Sequence, residues 1–192
     1  MPIPYLARVD DDGSAAPLTA TTVRDLGKDE SFLESVIEAQ PGLLELEPPS
    51  GTFSAPYVLC RQHLFVNALE RTVIPDLVLL SSSGNVAIVE VKLHDNAELR
   101  DRRVLAQILD YVGAFTDRSD DELLQIFSPL APTAESWEEL VSALFPKQTN
   151  AWVLANRLAQ HLRRAEVDCV VVCDVAPPGL GRFLSGISRQ ST

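Results

Sequence analysis

Three charged residues interrupt the apolar runs of the segment VIPDLVLLSSSGNVAIVEVKLHDN, which spans residues 73–96. Asp76 precedes the first run, whereas Glu90 and Lys92 lie within the second. Because side chains alternate between the two faces of a strand, Glu90 and Lys92 should share one face. An unpaired buried charge is very unfavourable, so these groups need compensation. Two forms are open: a Glu–Lys ion pair, or a metal cleft that Asp76 helps to line.

A divalent ion held by carboxylates would give this segment a hydrolytic chemistry. Such an ion neutralises the negative charge that develops at a phosphodiester and produces hydroxide near neutral pH. Magnesium prefers oxygen ligands and keeps several waters, so two carboxylates and a backbone carbonyl are sufficient. Asp76 at the start of one strand and Glu90 on its hairpin neighbour can converge on one ion.

The elements around these residues are predicted from their hydrophobic periodicity. The two apolar runs predict a hairpin around the polar turn SSSGN, and PYVLCRQHLFV predicts a strand before it. Near the other end of the chain, VDCVVVCDV is a continuous apolar strand of the kind found in the interior of a sheet.

The first helix is predicted in KDESFLESVIEAQPGLLEL. Leu33, Val36 and Ile37 form its apolar stripe. Ser31 and Glu34 have the spacing of a capping box, and a Pro-Gly pair ends the helix.

A second helix is predicted in ELRDRRVLAQILDYVGAF. It carries two stripes, of which the apolar one marks the core face. Arg100, Arg103, Gln107 and Tyr111 form the other, at positions i, i+3, i+7 and i+11. One flank of this helix therefore offers two guanidiniums, an amide and a phenol.

Further helices are predicted at SDDELLQIF, at ESWEELVSALF and at AWVLANRLAQHLRRA. The order of elements predicts an α/β layered domain with a mixed sheet. Residues 1–26 are read as an N-terminal arm or edge element, and residues 27–192 as one domain.

Composition narrows the classes of function. The chain has 192 residues, 46% of them apolar, and a formal charge of −11, which argues against a protein that grips nucleic acid with its whole surface. Any such binding must be local. No stretch is long and apolar enough for a membrane span, and the N-terminus lacks the features of a signal peptide, so a cytoplasmic address is expected. The three histidines and three cysteines show no zinc-ligand spacing.

The combination of IPDLVLL and IVEVKL resembles the PD-(D/E)XK nuclease superfamily. Pro75-Asp76 and Glu90-Val91-Lys92 occupy its motif positions. Gln107 and Tyr111 fit the Q-x-x-x-Y signature of RecB-like nucleases, and ESFLESVIEAQPGLL is similar to the catalytic domain of NucS-type endonucleases. The resemblance covers most of residues 28–185.

The resemblance implies a fold and a reaction. The fold is a restriction-endonuclease-like core, a mixed central sheet flanked by helices, with a helical insertion at about residues 118–166. The reaction is metal-dependent hydrolysis of DNA phosphodiester bonds by an endonuclease that uses Mg²⁺ or Mn²⁺. The substrate is DNA, and a homodimer or a protein partner would supply substrate recognition.

The resemblance also implies residue roles. Asp76, Glu90, the carbonyl of Val91 and Glu30 would hold the metal. Lys92 would orient or deprotonate the attacking water and stabilise the transition state.

The helix stripe completes the implied site. Gln107 joins the catalytic set, and Gln107 and Tyr111 would position the phosphodiester or the Lys92 region. Arg100 and Arg103 would contact adjacent phosphates.

Plainer interpretations stay open beside these roles. Asp76 would then satisfy a turn amide, Glu90 and Lys92 would form a simple ion pair, and Glu30 would be favoured by the helix dipole alone. Under the same interpretation the stripe that begins at Arg100 is a solvated helix surface. The alternative function is a catalytically inactive nuclease-fold domain that acts as a nucleic-acid-binding or protein-assembly module.

Overall fold

The computed structural model of the chain describes residues 7–9, 15–17, 21–44, 57–61, 65–66, 70–100 and 103–175. Its strands are β1 (Ala7–Val9), β2 (Ala15–Pro17), β3 (Tyr57–Arg61), β4 (Phe65–Val66), β5 (Thr72–Val73), β6 (Leu77–Ser81), β7 (Val86–Lys92) and β8 (Asp168–Cys173). Its α-helices are α1 (Glu30–Ala39), α2 (Ala97–Arg100), α3 (Arg103–Gly113), α4 (Asp120–Phe127), α5 (Trp137–Leu144) and α6 (Ala151–Arg163). Within these ranges, no helix has the length and apolar character that crossing a membrane requires.

Four strands form the main sheet in the order β3-β6-β7-β8. The pairs β3–β6 and β6–β7 are antiparallel, whereas β7 and β8 run parallel. The predicted α/β class with a mixed sheet is therefore confirmed. The strand pairs β1–β2 and β4–β5 form two small separate sheets.

Strand β7 is covered on both faces, as its apolar sequence predicts. Val86 and Ile88 belong to a large core that includes Phe115 and the apolar faces of helices α4, α5 and α6. Val89 and Val91 point the other way, into a smaller core that includes Ile37 of α1. All residues of β6 and β7 are buried, so any charge on β7 lies in a poorly hydrated environment.

The turn between β6 and β7 is tied to the helical region that precedes β8. Three consecutive turn carbonyls accept hydrogen bonds: Ser82 from Gln148 Nε2 at 3.2 Å, Ser83 from Arg157 Nη1 at 3.1 Å, and Gly84 from His161 Nδ1 at 2.9 Å. Gly84 has a φ of +87°, and a Cβ atom there would lie 3.0 Å from Cγ of Arg157. This position therefore needs glycine both for its backbone conformation and for the close approach of Arg157.

Helix α1 begins earlier than its predicted capping box. Asp29 is the N-cap residue, and its carboxylate accepts a hydrogen bond from the backbone N–H of Phe32. Ser31 lies inside the helix, so the predicted box of Ser31 and Glu34 is wrong. Glu34 is instead buried and pairs with Nη2 of Arg61 at 2.5 Å.

Two other expectations differ from the structure. The helix predicted after β7 is described as two helices, α2 and α3, with residues 101–102 outside the described ranges. Strand β8, predicted in the interior of a sheet, lies at one edge of the described sheet, and Cys169 on it is exposed. The division between arm and domain at residue 26 stays a prediction; Val23 just before it is buried.

Candidate active site

Asp76, Glu90 and Lys92 meet where β7 ends and β6 begins. Nζ of Lys92 lies 2.5 Å from Oε1 of Glu90 and 3.9 Å from Oδ2 of Asp76. The contact within β7 confirms that Glu90 and Lys92 share a face of the strand. Lys92 and Glu90 are both buried, and the side chain of Asp76 is 22% exposed.

Pro75 leaves the carbonyl of Val91 without a ladder donor. The pairing of Leu77 with Val89, continued by two residues, would set Pro75 opposite Val91, and proline has no N–H to donate to the Val91 carbonyl. The N–H of Val91 donates to Oδ2 of Asp76 at 2.7 Å. In an antiparallel ladder the N–H and C=O of one residue face the same neighbour, so the Val91 carbonyl points to the side on which Asp76 lies. Asp76 and this carbonyl are therefore available to one ligand.

Helix α3 holds Glu90 from the opposite side. The hydroxyl of Tyr111 donates to Oε2 of Glu90 at 2.8 Å, and a weaker contact of 3.4 Å joins it to the carbonyl of Ile74. Burial, together with the negative charge of Glu90, raises the pKa of Tyr111 far above its ordinary value. The phenol is therefore neutral and acts as a donor, and each oxygen of Glu90 has a partner.

Lys92 is surrounded by more negative charge than it neutralises. Nζ lies 3.6 Å from Oε2 of Glu98, in addition to its contacts with Glu90 and Asp76. Burial lowers the pKa of Lys92, but the hydrogen bond and attraction of Glu90 outweigh it and hold the pKa above its ordinary value. Among the side chains that the structure describes here, one ammonium thus contacts three carboxylates, which leaves an excess of negative charge within this group.

Asp76 has the least favourable environment of these carboxylates. Burial, with a contribution from the charge of Glu90, raises its pKa to about 6, although the hydrogen bond from Val91 and the charge of Lys92 act in the opposite direction. A further cation beside Asp76 would stabilise its ionised form.

Glu30 lies at the same end of β7 as the other acidic groups. Its Oε1 accepts hydrogen bonds from the N–H of Leu93 at 3.1 Å and from Nδ2 of Asn96 at 2.8 Å. Its charge also contributes to the raised pKa of Lys92. The interpretation of Glu30 as a residue favoured only by the helix dipole therefore leaves two tertiary hydrogen bonds unexplained.

The helix stripe is brought to the site only in part. Gln107 is half-buried, and its Oε1 is buried with no hydrogen-bond partner in the structure, one helical turn from Tyr111. Tyr111 is 4% exposed and binds Glu90, whereas Arg103 is exposed on the surface of α3. The side chain of Arg100 lies outside the described residues. Contacts of these residues with DNA stay predictions.

Sequence reasoning missed Glu98 and the residue that holds it. The backbone N–H of Glu98 donates to Oδ1 of Asn96 at 2.9 Å, and Asn96 in turn donates to Glu30. The polar run that follows Lys92 marks a loop at the carboxyl end of a strand, a common position for functional residues.

Asp174 was also missed, although it follows the other parallel strand. Its carboxylate is 4% exposed and accepts hydrogen bonds from the backbone N–H groups of Val23 and Val175, and from both the backbone and the ring Nδ1 of His94. Burial raises its pKa, but these hydrogen bonds outweigh burial and keep the pKa below its ordinary value. Asp174 therefore fastens the loop after β7 to β8 and to the segment before α1.

The donor atoms of this site suit a divalent ion by their chemistry, but Lys92 lies among them. Within the described ranges, no three His, Cys, Asp or Glu side chains are arranged as a ready metal cluster. The ammonium of Lys92 takes the position beside Glu90 that an ion would use. The chemistry of the donors fits Mg²⁺ or Mn²⁺, because they are oxygens with excess negative charge. An ion at Glu90 would require Nζ to move away from Oε1.

Comparisons of the chain with protein-family models, with curated proteins and with solved structures find no match.

Proposed function

We propose that this protein is a metal-dependent nuclease of the PD-(D/E)XK type, which hydrolyses DNA phosphodiester bonds with Mg²⁺ or Mn²⁺. The observation that carries the proposal is the meeting of Asp76, Glu90 and Lys92 at the end of the β6–β7 hairpin. The types and order of these residues in the sequence point to this chemistry, and the fold brings both carboxylates within 4 Å of the Lys92 ammonium.

The order of elements supports a restriction-endonuclease-like core. Helix α1, strands β3, β6 and β7, helix α3 and strand β8 follow one another along the chain, and the four strands form one sheet with β8 parallel to β7. This order agrees with the helix, three strands, helix and strand of the superfamily that the motifs resemble, and the agreement supports the proposal. Helices α4, α5 and α6 would then be the insertion at about residues 118–166.

The ion would be held by Asp76, Glu90 and the carbonyl of Val91, with Glu30 reaching one of its waters. When bound, it supplies charge neutralisation at the phosphate and a hydroxide near neutral pH. Tyr111 keeps Glu90 in place through its 2.8 Å hydrogen bond, so this carboxylate is oriented before substrate arrives.

Lys92 would act as a charged donor. In the metal-free chain the contact with Glu90 holds the pKa of Lys92 above its ordinary value. A lysine is also protonated at neutral pH at its ordinary pKa, so Nζ would donate hydrogen bonds to the attacking water and to the phosphate oxygens. Such donors stabilise the negative charge that develops in the transition state. The buried Oε1 of Gln107, which has no hydrogen-bond partner among the described residues, is an acceptor one helical turn from Tyr111. Arg100 and Arg103 would bind flanking phosphates.

The test is DNA cleavage by the wild-type chain, by Lys92→Ala and by Lys147→Ala, which removes an exposed lysine from the insertion. Linear, circular, single-stranded and branched DNA are incubated with Mg²⁺, Mn²⁺ or a chelator. We expect metal-dependent cutting that falls by at least about 100-fold in Lys92→Ala and is unchanged in Lys147→Ala. If the wild type cuts none of these substrates and binds no metal, the inactive binding or assembly module replaces the nuclease.

A further inference from the structure

Lys92 and a divalent ion compete for the same oxygen. Nζ of Lys92 lies 2.5 Å from Oε1 of Glu90, and Tyr111 takes Oε2. An ammonium and a metal ion at this distance from one oxygen would repel each other strongly, because the site is buried and poorly screened. Metal binding therefore requires Nζ to leave Glu90.

The carboxylates around Lys92 differ in their ability to receive it. Asp76, 3.9 Å from Nζ, is itself a proposed ligand of the ion. Glu98 lies 3.6 Å away and has no part in the proposed ligand set. Its side chain is 36% exposed, against 3% for Glu90, so an ammonium that moves to Glu98 moves towards solvent and the approaching phosphate.

Glu98 is held in position for this transfer by the residues next to the site. Its N–H donates to Oδ1 of Asn96, and Nδ2 of Asn96 donates to Glu30. The start of α2 is thereby tied to the start of α1, and the Glu98 carboxylate stays beside Lys92 without a change of backbone.

Resting on the proposed nuclease function, we infer that Glu98 is a positioning residue that receives the ammonium of Lys92 when a divalent ion takes its place on Glu90. Glu98 thus has two effects on Lys92: it draws the ammonium off the metal site, and it keeps the ammonium close enough to donate to the phosphate. The effect of Glu98 on metal affinity therefore depends on the presence of Lys92. A carboxylate that merely attracts the ion would have the same effect with or without Lys92.

The test is a double-mutant cycle in Mn²⁺ affinity, measured by calorimetry and by the paramagnetic resonance of free Mn²⁺ without DNA. The cycle compares the wild type with Glu98→Gln, Lys92→Met and the double variant. Glu138→Gln, which changes an exposed side chain of α5, is the matched control. We expect Glu98→Gln to weaken Mn²⁺ binding about tenfold when Lys92 is present and by no more than about threefold in the Lys92→Met background. Lys92→Met alone should bind Mn²⁺ more tightly than wild type.

The outcomes separate this inference from the nuclease proposal. Equal effects of Glu98→Gln in both backgrounds would overturn the role of Glu98 while leaving metal binding intact. A wild-type chain that binds no Mn²⁺ would overturn both. Glu98→Asp, which keeps the charge but shortens the side chain, should give an intermediate affinity, and urea unfolding verifies that each variant is folded.

Discussion

The hydroxyl of Tyr111 and the carboxylate of Glu90 are 2.8 Å apart, and this bond joins helix α3 to the most deeply buried charge of strand β7. Glu90 cannot rotate away without breaking the shorter hydrogen bond of a buried phenol, so the helix favours this orientation of the carboxylate. The stability of the fold and the geometry of the site therefore depend on the same atoms.

Tyr111→Phe removes this bond together with the weaker 3.4 Å contact of the hydroxyl with the Ile74 carbonyl. Because the acceptor is charged and buried, the variant should lose about 1.5–3 kcal/mol of unfolding free energy. Urea denaturation measures the loss, with Ser35→Ala as the control, since the exposed hydroxyl of Ser35 donates to the Ser31 carbonyl within its own helix. Metal affinity should fall as well, because Glu90 is freer to turn. An unchanged unfolding free energy would mean that the bond contributes nothing net.

The raised pKa of Asp76 predicts how the stability of the metal-free chain changes with pH. Its pKa is about 6 in the folded state and 3.8 in the unfolded reference, so the folded state binds the proton more tightly. This contribution to stability is fully present below pH 4 and is lost as the pH rises through 6. The loss should approach about 3 kcal/mol, at about 1.4 kcal/mol for each pKa unit.

Asp76→Asn isolates this effect, because asparagine does not titrate. Unfolding of both proteins in chelator between pH 4 and pH 7 should show a steeper decline for the wild type. Metal binding should reverse it: Mg²⁺ at about 100 times its Kd stabilises a folded protein by about 2.7 kcal/mol. Parallel pH profiles for the two proteins would contradict the raised pKa of Asp76.

A single methyl group added at Gly84, in the turn before β7, should lower the stability of the fold. Gly84→Ala introduces a Cβ atom 3.0 Å from Arg157 at a φ of +87°, so we expect a loss of about 1–3 kcal/mol in unfolding free energy. Gly113→Ala, where a Cβ meets nothing within 4 Å, should be neutral or stabilising by up to about 1 kcal/mol. Thermal denaturation of both variants provides the comparison. Equal stability of the two variants would contradict the close contact between the β6–β7 turn and Arg157 of α6.

We expect Arg103 to contribute a salt-dependent part of the DNA affinity, because its guanidinium would contact a phosphate. Arg103→Ala, tested with labelled DNA in chelator, should weaken binding and reduce the slope of log affinity against log salt by about 1. Arg164→Ala is the control, because it lies just before β8, at the opposite end of that strand from Asp174. An equal response of both variants would indicate diffuse attraction rather than a phosphate contact at α3.

The hairpin and its charges could be predicted because they depend on local alternation. The period of two residues places Glu90 and Lys92 on one face regardless of the rest of the chain, and the contact between them agrees. The helical spacing also predicted a role for Tyr111 at the site. It did not predict that the hydroxyl of Tyr111 would donate to the buried Glu90. The sequence pattern carries no information about which atom a helix residue meets.

The incorrect predictions concern features that tertiary structure decides. Asp29 and Ser31 are both suitable N-cap residues, and the start of α1 coincides with the hydrogen bonds that hold Glu30. The apolar run of β8 is compatible with an interior or an edge position, since hydrophobicity does not specify the number of neighbouring strands. Glu98 lies in a polar stretch without periodicity, and its proximity to Lys92 comes from the return of the chain after β7.

The hydrogen bond from Val23 to Asp174 joins residues 151 positions apart in the sequence, whereas the β6–β7 hairpin closes over a short turn. Local pairings form early and contacts of long sequence separation come late, because the entropy of closing the loop must be offset first. A chain emerging from the ribosome can thus pair Asp76 with Val91 well before Asp174 has been synthesised. The surroundings of the acidic site are completed only once β8 and Asp174 have been synthesised, so a product truncated before Asp174 would carry Asp76, Glu90 and Lys92 without the loop anchor that Asp174 provides.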